Sequence, residues 1–595
     1  MQVNKLFLAM ICMSMAVISA CNNQIRDEHE SSDQAIVYSI DHFSSVKTNQ
    51  GEAIDGGVIN FGLVTDTPFE GTLNFNFYSG NPDAEIIRWF DESLLDFDED
   101  YKYTQDGAAT FEVDHEDKSI TFTIRDQVNW HDGEPVTAED WAYAYEVVGH
   151  PDYDGPRYSQ ALSSVEGMEA YRTGEADTIS GLEIIDDKIL KITYQQFTPA
   201  LLSSGIWAYP LPKHIFSQYE VSDMSASDAV RRYPIGFGPF KVENITPGES
   251  VTLVKNDDYW RGEPNLDGLT IRVVSPEVVA QSLKNGEVDL VSSFPADQYV
   301  DHSDMSNVEF LADIDLSYIY LGFKLGAWDD DGGEVVPDPD AKMADVNLRR
   351  AMWYAVDNDS VGANYYNGLR WNATTLIPPS HPAYHDDSIE TPTYDPDEAN
   401  RILDQAGYLD IDGDGFREDP DGNKLVINFA SMSGGDTAEP LTRYYIQAWE
   451  EVGLNVQLLD GRLQEFNGFY DRIGADDPEM DIYLAAWTVG ADVNPQNLYG
   501  RQSAFNYSRY ASKENDRLIA EGLSEAAFDQ QYRQDVYRQW QQLMVDDIPV
   551  FPTLYRVKLV AANNRVLNYA VDFHPSAGLY RHQLAVNKDS ASKAE

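Results

Sequence analysis

The sequence predicts an α/β fold on three observations: a segment that alternates as a strand does, a helix with both ends marked, and a helix leading straight into a strand. Ser119-Ile120-Thr121-Phe122-Thr123-Ile124 alternates polar and apolar residues. That period of two buries one face of a sheet. Asp395-Pro396-Asp397-Glu398 opens a helix, with Asp as N-cap, Pro in the first turn and Glu three residues after the cap. Ile402, Leu403 and Ala406 supply its apolar stripe and Gly407 its stop. A second helix is expected from about 440 to 452, followed by Gly453 and a strand over 454–459. Helices that alternate with strands cover the faces of sheets, which is the α/β arrangement.

Composition narrows the class. A chain of 595 residues with 43% hydrophobic and 12% aromatic content can pack several globular units. Its 100 acidic and 42 basic residues give a formal net charge of -58. Such a surface is repelled by phosphates, which excludes nucleic acid as a partner. It also repels itself at low salt, which points to a saline or alkaline habitat. No repeat and no long low-complexity linker divides the body.

Residues 6–18 form an apolar run behind a single cation, Lys5. The run is too short to span a bilayer and reads as a secretory signal. It ends in Ile18-Ser19-Ala20-Cys21, which resembles the lipobox of bacterial lipoproteins and makes Cys21 the lipidation candidate. The polar segment after it, to residue 50, is expected to be a flexible tether. The other cysteine, Cys12, lies inside the signal. The mature body then has no disulfide, no thiolate metal site and no cysteine nucleophile.

Five blocks stand in a fixed order along the chain. They are Ile120–Arg125 with Val128-Asn-Trp-His-Asp-Gly-Glu-Pro-Val-Thr-Ala-Glu-Asp-Trp141; Tyr233-Pro-Ile-Gly-Phe-Gly-Pro-Phe240; Asn256-Asp-Asp-Tyr-Trp260 with Pro264; Gly286-Glu-Val-Asp289; and Val346-Asn-Leu-Arg-Arg-Ala-Met-Trp-Tyr-Ala-Val-Asp357. Together they resemble the family 5 bacterial extracellular solute-binding proteins, the oligopeptide-, dipeptide- and nickel-binding components of ABC importers. Phe237 and Phe240 stand where that family commonly has Thr and Tyr. The wording at Thr178–Glu183 and Leu211–Ile215 is most similar to oligopeptide binders of Gram-positive bacteria. Read by themselves, most of these residues are structural. Trp130–Gly133 is a turn between strand and helix. Gly236 and Gly238 permit close backbone packing, since no Lys-Ser/Thr pair completes a phosphate loop.

The resemblance implies a two-lobed periplasmic-binding-protein-like fold of type II, with an additional subdomain in the first lobe. On that pattern residues 1–20 are the signal, 21–50 the tether, and 51–315 lobe 1 with an extra subdomain over about 86–195. Lobe 2 covers 316–550, residues 551–587 return to lobe 1, and 588–595 form a tail. Crossover strands near 316–323 and 550–559 hinge the lobes, which close over a ligand. The implied ligand is a peptide held as an added strand. The implied partners are an ABC permease and the membrane, reached through the lipid anchor, and the body is expected to be monomeric.

The ligand residues also come from the resemblance. Trp487, in Ala486-Trp487-Thr-Val-Gly-Ala-Asp492-Val-Asn-Pro495, is assigned to a pocket wall and Asp492 to the peptide's α-ammonium. A shielded carboxylate suits a cation, although the Trp-to-Asp spacing is longer than the family's. Phe551 and Tyr555 resemble the return strand that brushes the ligand.

One further motif carries chemistry. Asp410, Asp412, Asp414, Glu418 and Asp421 occupy positions 1, 3, 5, 9 and 12 of a calcium-type loop, with Gly415 at 6 and the Phe416 carbonyl at 7. No helix pair flanks it in the EF-hand manner, so a structural Ca2+ is the expectation and no cofactor is needed for function. His381 and His385 are four apart, but Pro382 bars a shared helix face. No serine elbow, zinc-protease motif or Walker loop is present, so the chain reads as a non-enzyme. The rival readings are the same fold with another cargo (oligosaccharide, nickel chelate or signalling peptide) and a secreted hydrolase.

Overall fold

The computed structural model describes residues 38–594 apart from 49, 50, 66, 159, 204, 435 and 574–577. The expected signal and Cys21 lie outside the described residues. One eleven-stranded sheet runs through the molecule. Its strands stand in the order Asn455–Leu458, Val426–Ala430, Ile482–Thr488, Val308–Phe323, Val550–Asn563, Leu290–Val291, Val58–Val64, Gly268–Val274, Ser250–Lys255 and Phe240–Thr246. The short strand Arg370–Asn372 adds to Val550–Asn563 off this path.

The two long strands in the middle, of 16 and 14 residues, pair antiparallel and serve both halves. Their ladder is regular from Val308↔Asn563 to Ile314↔Val557 and resumes at Tyr318↔Tyr555. Between these points Asp315, Leu316 and Ser317 stand against Arg556 alone, so the ladder breaks where the chain passes from one half to the other. On one side the core gathers residues from Tyr318 to Tyr555 around Trp353, Trp449 and Trp540. On the other, two cores join residues 59–312 to 557–586. These are the two lobes.

A second sheet of four antiparallel strands builds the extra unit, in the order Ala109–Asp114, Ser119–Ile124, Ile189–Thr193, Leu182–Asp186. Helix Ala138–Gly149 packs on it, with Trp141 and Tyr145 buried. Thr137 caps that helix reciprocally with Asp140. The core of this unit extends from Phe77 to Phe237, well beyond the expected 86–195. The stretch after 195 contributes Leu201, Ile206, Leu211, Phe216 and Met224 to the core from four-residue helices and loops, which are too short to leave a period to read.

Two expectations at the chain ends are corrected. Residues 38–48, assigned to the tether, pack on the body. Ser44 bridges Leu311, Val46 bridges Ala570, and Lys47 is buried in an ion pair with Glu309. The 588–595 tail is likewise tied down: the Ser592 carbonyl accepts from the Asn307 and Asn563 side-chain amides, both at 2.9 Å. Buried Arg565 donates to the carbonyls of Lys588 and Asp589.

Candidate functional site

The strands Asn455–Leu458, Val426–Ala430 and Ile482–Thr488 run parallel, so their carboxyl ends share one edge of lobe 2. Crevices beyond such ends are where open α/β sheets bind ligands. The segment 487–492 leaves the sheet at this edge, beside the first crossover strand, where Ser317 and Thr488 hydroxyls meet at 3.0 Å.

The extra unit of lobe 1 faces this edge and touches it. Tyr101, at a left-handed φ of 58° on a turn tip, sets its ring edge-on to His381 of lobe 2 at 5.2 Å. Lys102 donates to Gln530 at 3.2 Å. Phe528 packs its ring against His115 (4.7 Å, edge-on) and Phe197 (5.5 Å, stacked), which also touch each other at 5.4 Å. The lobes therefore meet along a line of side chains from both.

Trp487 is half-buried. Its ring stacks on Tyr507 at 5.4 Å, lies parallel to Tyr320 at 6.4 Å and takes the edge of Phe505 at 6.0 Å. Phe505 is 56% exposed, so this aromatic group has an open side. Such a surface accepts apolar side chains of many shapes.

Asp492 lies next to the line where the lobes meet, as the bond from His381 Nε2 to the Gly490 carbonyl at 3.1 Å places it. Its carboxylate is not free. Arg533 Nη2 donates to both oxygens, at 2.9 and 2.8 Å, and the Asn494 amide donates to Oδ1 at 2.9 Å. Arg533 is itself buried. It donates from Nε to the Gly522 carbonyl at 3.2 Å, and its guanidinium lies near the rings of Tyr537 and Tyr384 at 5.3 and 5.8 Å. Sequence assigned Asp492 to the peptide ammonium; the structure adds a partner, Arg533, which lies 41 residues away on helix Gln530–Asp547 and was invisible to local spacing.

Phe551 and Tyr555 are corrected. Phe551 has no exposed surface and stacks on Trp353 at 5.1 Å. Tyr555 is buried, and its hydroxyl donates to the Thr375 carbonyl at 2.7 Å and accepts from the Thr375 amide at 2.9 Å. A strand buried on both faces gives no sign in sequence of which side a ligand would approach. Both rings hold the core of lobe 2.

The first three blocks gather at the junction of the extra unit with lobe 1, whereas the fourth sets Asp289 against Arg565 within lobe 1 and the fifth packs Leu348, Met352 and Trp353 into the core of lobe 2. The His131 ring accepts from the Gly236 amide and contacts the Gly238 carbonyl, both at 3.1 Å, and Asn256 donates to that same carbonyl at 3.1 Å. A Cβ on Gly236 would lie 2.4 Å from the Phe90 carbonyl oxygen, so close packing requires glycine here, as its spacing suggested. Glu92 accepts from Tyr259 at 2.9 Å and Trp260 at 2.5 Å. His131, Asn256, Tyr259 and Trp260 line a surface hollow of about 530 Å³, which includes no residue of lobe 2.

In the Asp-rich loop, carboxylate oxygens of Asp410, Asp412 and Glu418 lie within 4.8 Å of one another. Glu418 is buried and accepts from the Ile411 amide at 2.7 Å. Asp410 accepts from Gly413 and Gly415, both left-handed, at 2.7 and 3.1 Å. Asp414 accepts from the Phe416 amide at 3.0 Å and shares the Lys424 ammonium with Asp412, at 2.8 and 2.9 Å. Asp421 turns away, with its amide on Asp419. Three of the six expected ligands are brought together.

Residues 102–508 match the sequence profile of the bacterial extracellular solute-binding proteins, family 5. The oligopeptide-binding protein OppA of Lactococcus lactis subsp. lactis is 29% identical over 493 residues, covering 81% of this chain and 82% of that one. The oligopeptide-binding protein AppA of Bacillus subtilis is 25% identical over 548 residues, covering 90% and 93%. Among solved structures, lactococcal OppA complexed with an endogenous peptide in the closed conformation superposes with a TM-score of 0.78 at 26% identity, covering 89% of this chain and all of the other. With its two lobes, its paired crossover strands and a profile match over residues 102–508, this chain belongs to the family 5 bacterial extracellular solute-binding proteins.

Proposed function

We propose that this protein is the extracytoplasmic receptor of an ABC importer, which captures oligopeptides between its lobes and presents the closed form to a membrane permease. The observation that carries this reading is the meeting of the lobes across the 487–492 edge, in a fold shared with OppA in its closed, peptide-bound form. The open side of the Trp487 group would take ligand side chains, and backbone groups would hold the peptide as an extended strand. Wet, roomy pockets of this kind trade side-chain specificity for breadth. Cys21 would carry the lipid that keeps the protein at the membrane. The body would act as a monomer and catalyse nothing. Mass spectrometry of small molecules released by denaturing the purified mature protein tests the reading. A ladder of mixed peptides is expected, whereas a sugar or a metal chelate would replace peptide with another cargo.

The Asp410–Asp412–Glu418 group supports a structural calcium site, because hard carboxylate oxygens on a tight Gly-turn suit that ion. Lys424 would have to leave Asp412 and Asp414 for the cation to bind. Thermal unfolding in calcium and in chelator tests this. A higher midpoint in calcium that disappears in Asp410→Ala supports the site, and identical midpoints reject it.

A further inference from the structure

A binding protein that reads the peptide's free amine needs an acceptor with charge to spare, and Asp492 is already paired. Asp492 and Arg533 form a buried pair inside lobe 2. Every contact that holds Arg533 (Gly522, Tyr537, Tyr384) also belongs to lobe 2, so opening the lobes does not release it. The facing turn of lobe 1 brings Asp100, but with Lys102 at 3.9 Å beside it. Further along, by the crossover strands, Asp315 is held by Arg556 at 2.6 Å and Asp572 by Lys558 at 2.9 Å. An α-ammonium placed against Asp492 would meet the Arg533 guanidinium one hydrogen bond behind it, so attraction and repulsion largely cancel. Displacing Arg533 would strand a buried guanidinium, which is more costly than the bond gained.

We propose that Arg533 acts as a specificity-setting residue: by occupying Asp492 it frees the carrier from any requirement for an unmodified peptide N-terminus. N-blocked peptides, and chains whose amino end projects beyond the corner, then bind about as well as peptides with a free amine. The inference rests on the peptide reading above. It also makes Arg533 a positioning residue, which acts on the ligand only through Asp492.

The test is a competition. The mature protein, stripped of endogenous ligand by unfolding and refolding, is offered an equimolar mixture of a random nonapeptide library and its Nα-acetylated copy, and captured peptides are counted by mass spectrometry. The expected ratio of free to acetylated peptide is within about threefold of one. Enrichment of free peptides by more than about tenfold, the advantage of a charge-assisted bond to an available carboxylate, overturns this inference and leaves peptide capture standing. Capture of neither population overturns the peptide reading and this inference with it. In Arg533→Gln, where it folds, Asp492 is released and the ratio is expected to rise toward the free amine. A purely structural role for Arg533 would lower both capacities equally.

Discussion

Glu92 joins the extra unit to lobe 1 by accepting from Tyr259 and Trp260, and removal from water pushes its pKa up to about 7 from an ordinary 4.5. Between those values the unfolded chain gives up the proton while the folded chain keeps it. Stability drawn from this group is therefore complete below about pH 4.5 and lost as pH rises to 7. Glu92→Gln lacks the titration. Its unfolding midpoint relative to the unaltered protein is expected to climb as pH goes from 4.5 to 7, and a constant difference would show that Glu92 ionises normally. The same scale shows what sequence can and cannot disclose. Asp289, in the fourth block, makes a two-pronged buried pair with Arg565 at 2.7 Å on each arm. The block was legible as a family mark, but its partner lies 276 residues away and only the fold brings it near. Gly236 was legible as a packing device because no Lys-Ser/Thr pair follows to complete a phosphate loop, whereas the state of Asp492 depended on a helix that returns from elsewhere.

Local chemistry was read most accurately where both ends of an element are encoded by short-range bonds. Asp395 accepts from the Glu398 amide at 3.0 Å and Gly407 closes the helix at φ 90°, as the residues alone indicated. The strand Ser119–Ile124 also falls where its alternation put it. The fifth block instead divides: helix Val346–Tyr354 ends and Asp357 caps a second one, Asn358–Tyr366. Tertiary elements carry the closure. The segment Glu525–Phe528 is four residues long, yet it delivers Phe528 from lobe 2 onto the His115–Phe197 pair of lobe 1. Aromatic pairs of this kind contribute about 0.5–1.5 kcal/mol each, and these form only when the lobes meet. Phe528→Ala is thus expected to leave thermal stability nearly unchanged while weakening ligand binding by about 3–10-fold. The radius of gyration of the unliganded variant, measured by X-ray scattering, should exceed that of the unaltered protein. Equal affinity and equal size would mean that Phe528 lies on the seam without biasing closure.

Across the whole molecule the formal charge of -58 leaves most acids without a basic partner. Those that have one form small groups, such as Arg472 with Asp460 and Asp477, or Arg517 with Glu514 and Glu521. Salt acts on the two populations in opposite directions. It weakens the exposed pairs, each of which contributes about 0–1 kcal/mol, and it screens the repulsion summed over all unpaired acids. With so large an excess of one sign the second effect should dominate, because repulsion extends over every neighbour within a Debye length, which shrinks from roughly 10 Å at 0.1 M to about 3 Å at 1 M salt. The unfolding midpoint is therefore expected to rise by several degrees between about 0.1 and 1 M NaCl. It should rise equally in KCl, since no ion-specific site is invoked. A midpoint that falls would mean that the arginine-centred groups outweigh the unpaired surface, and the acidic composition would then have to be explained by something other than life in brine.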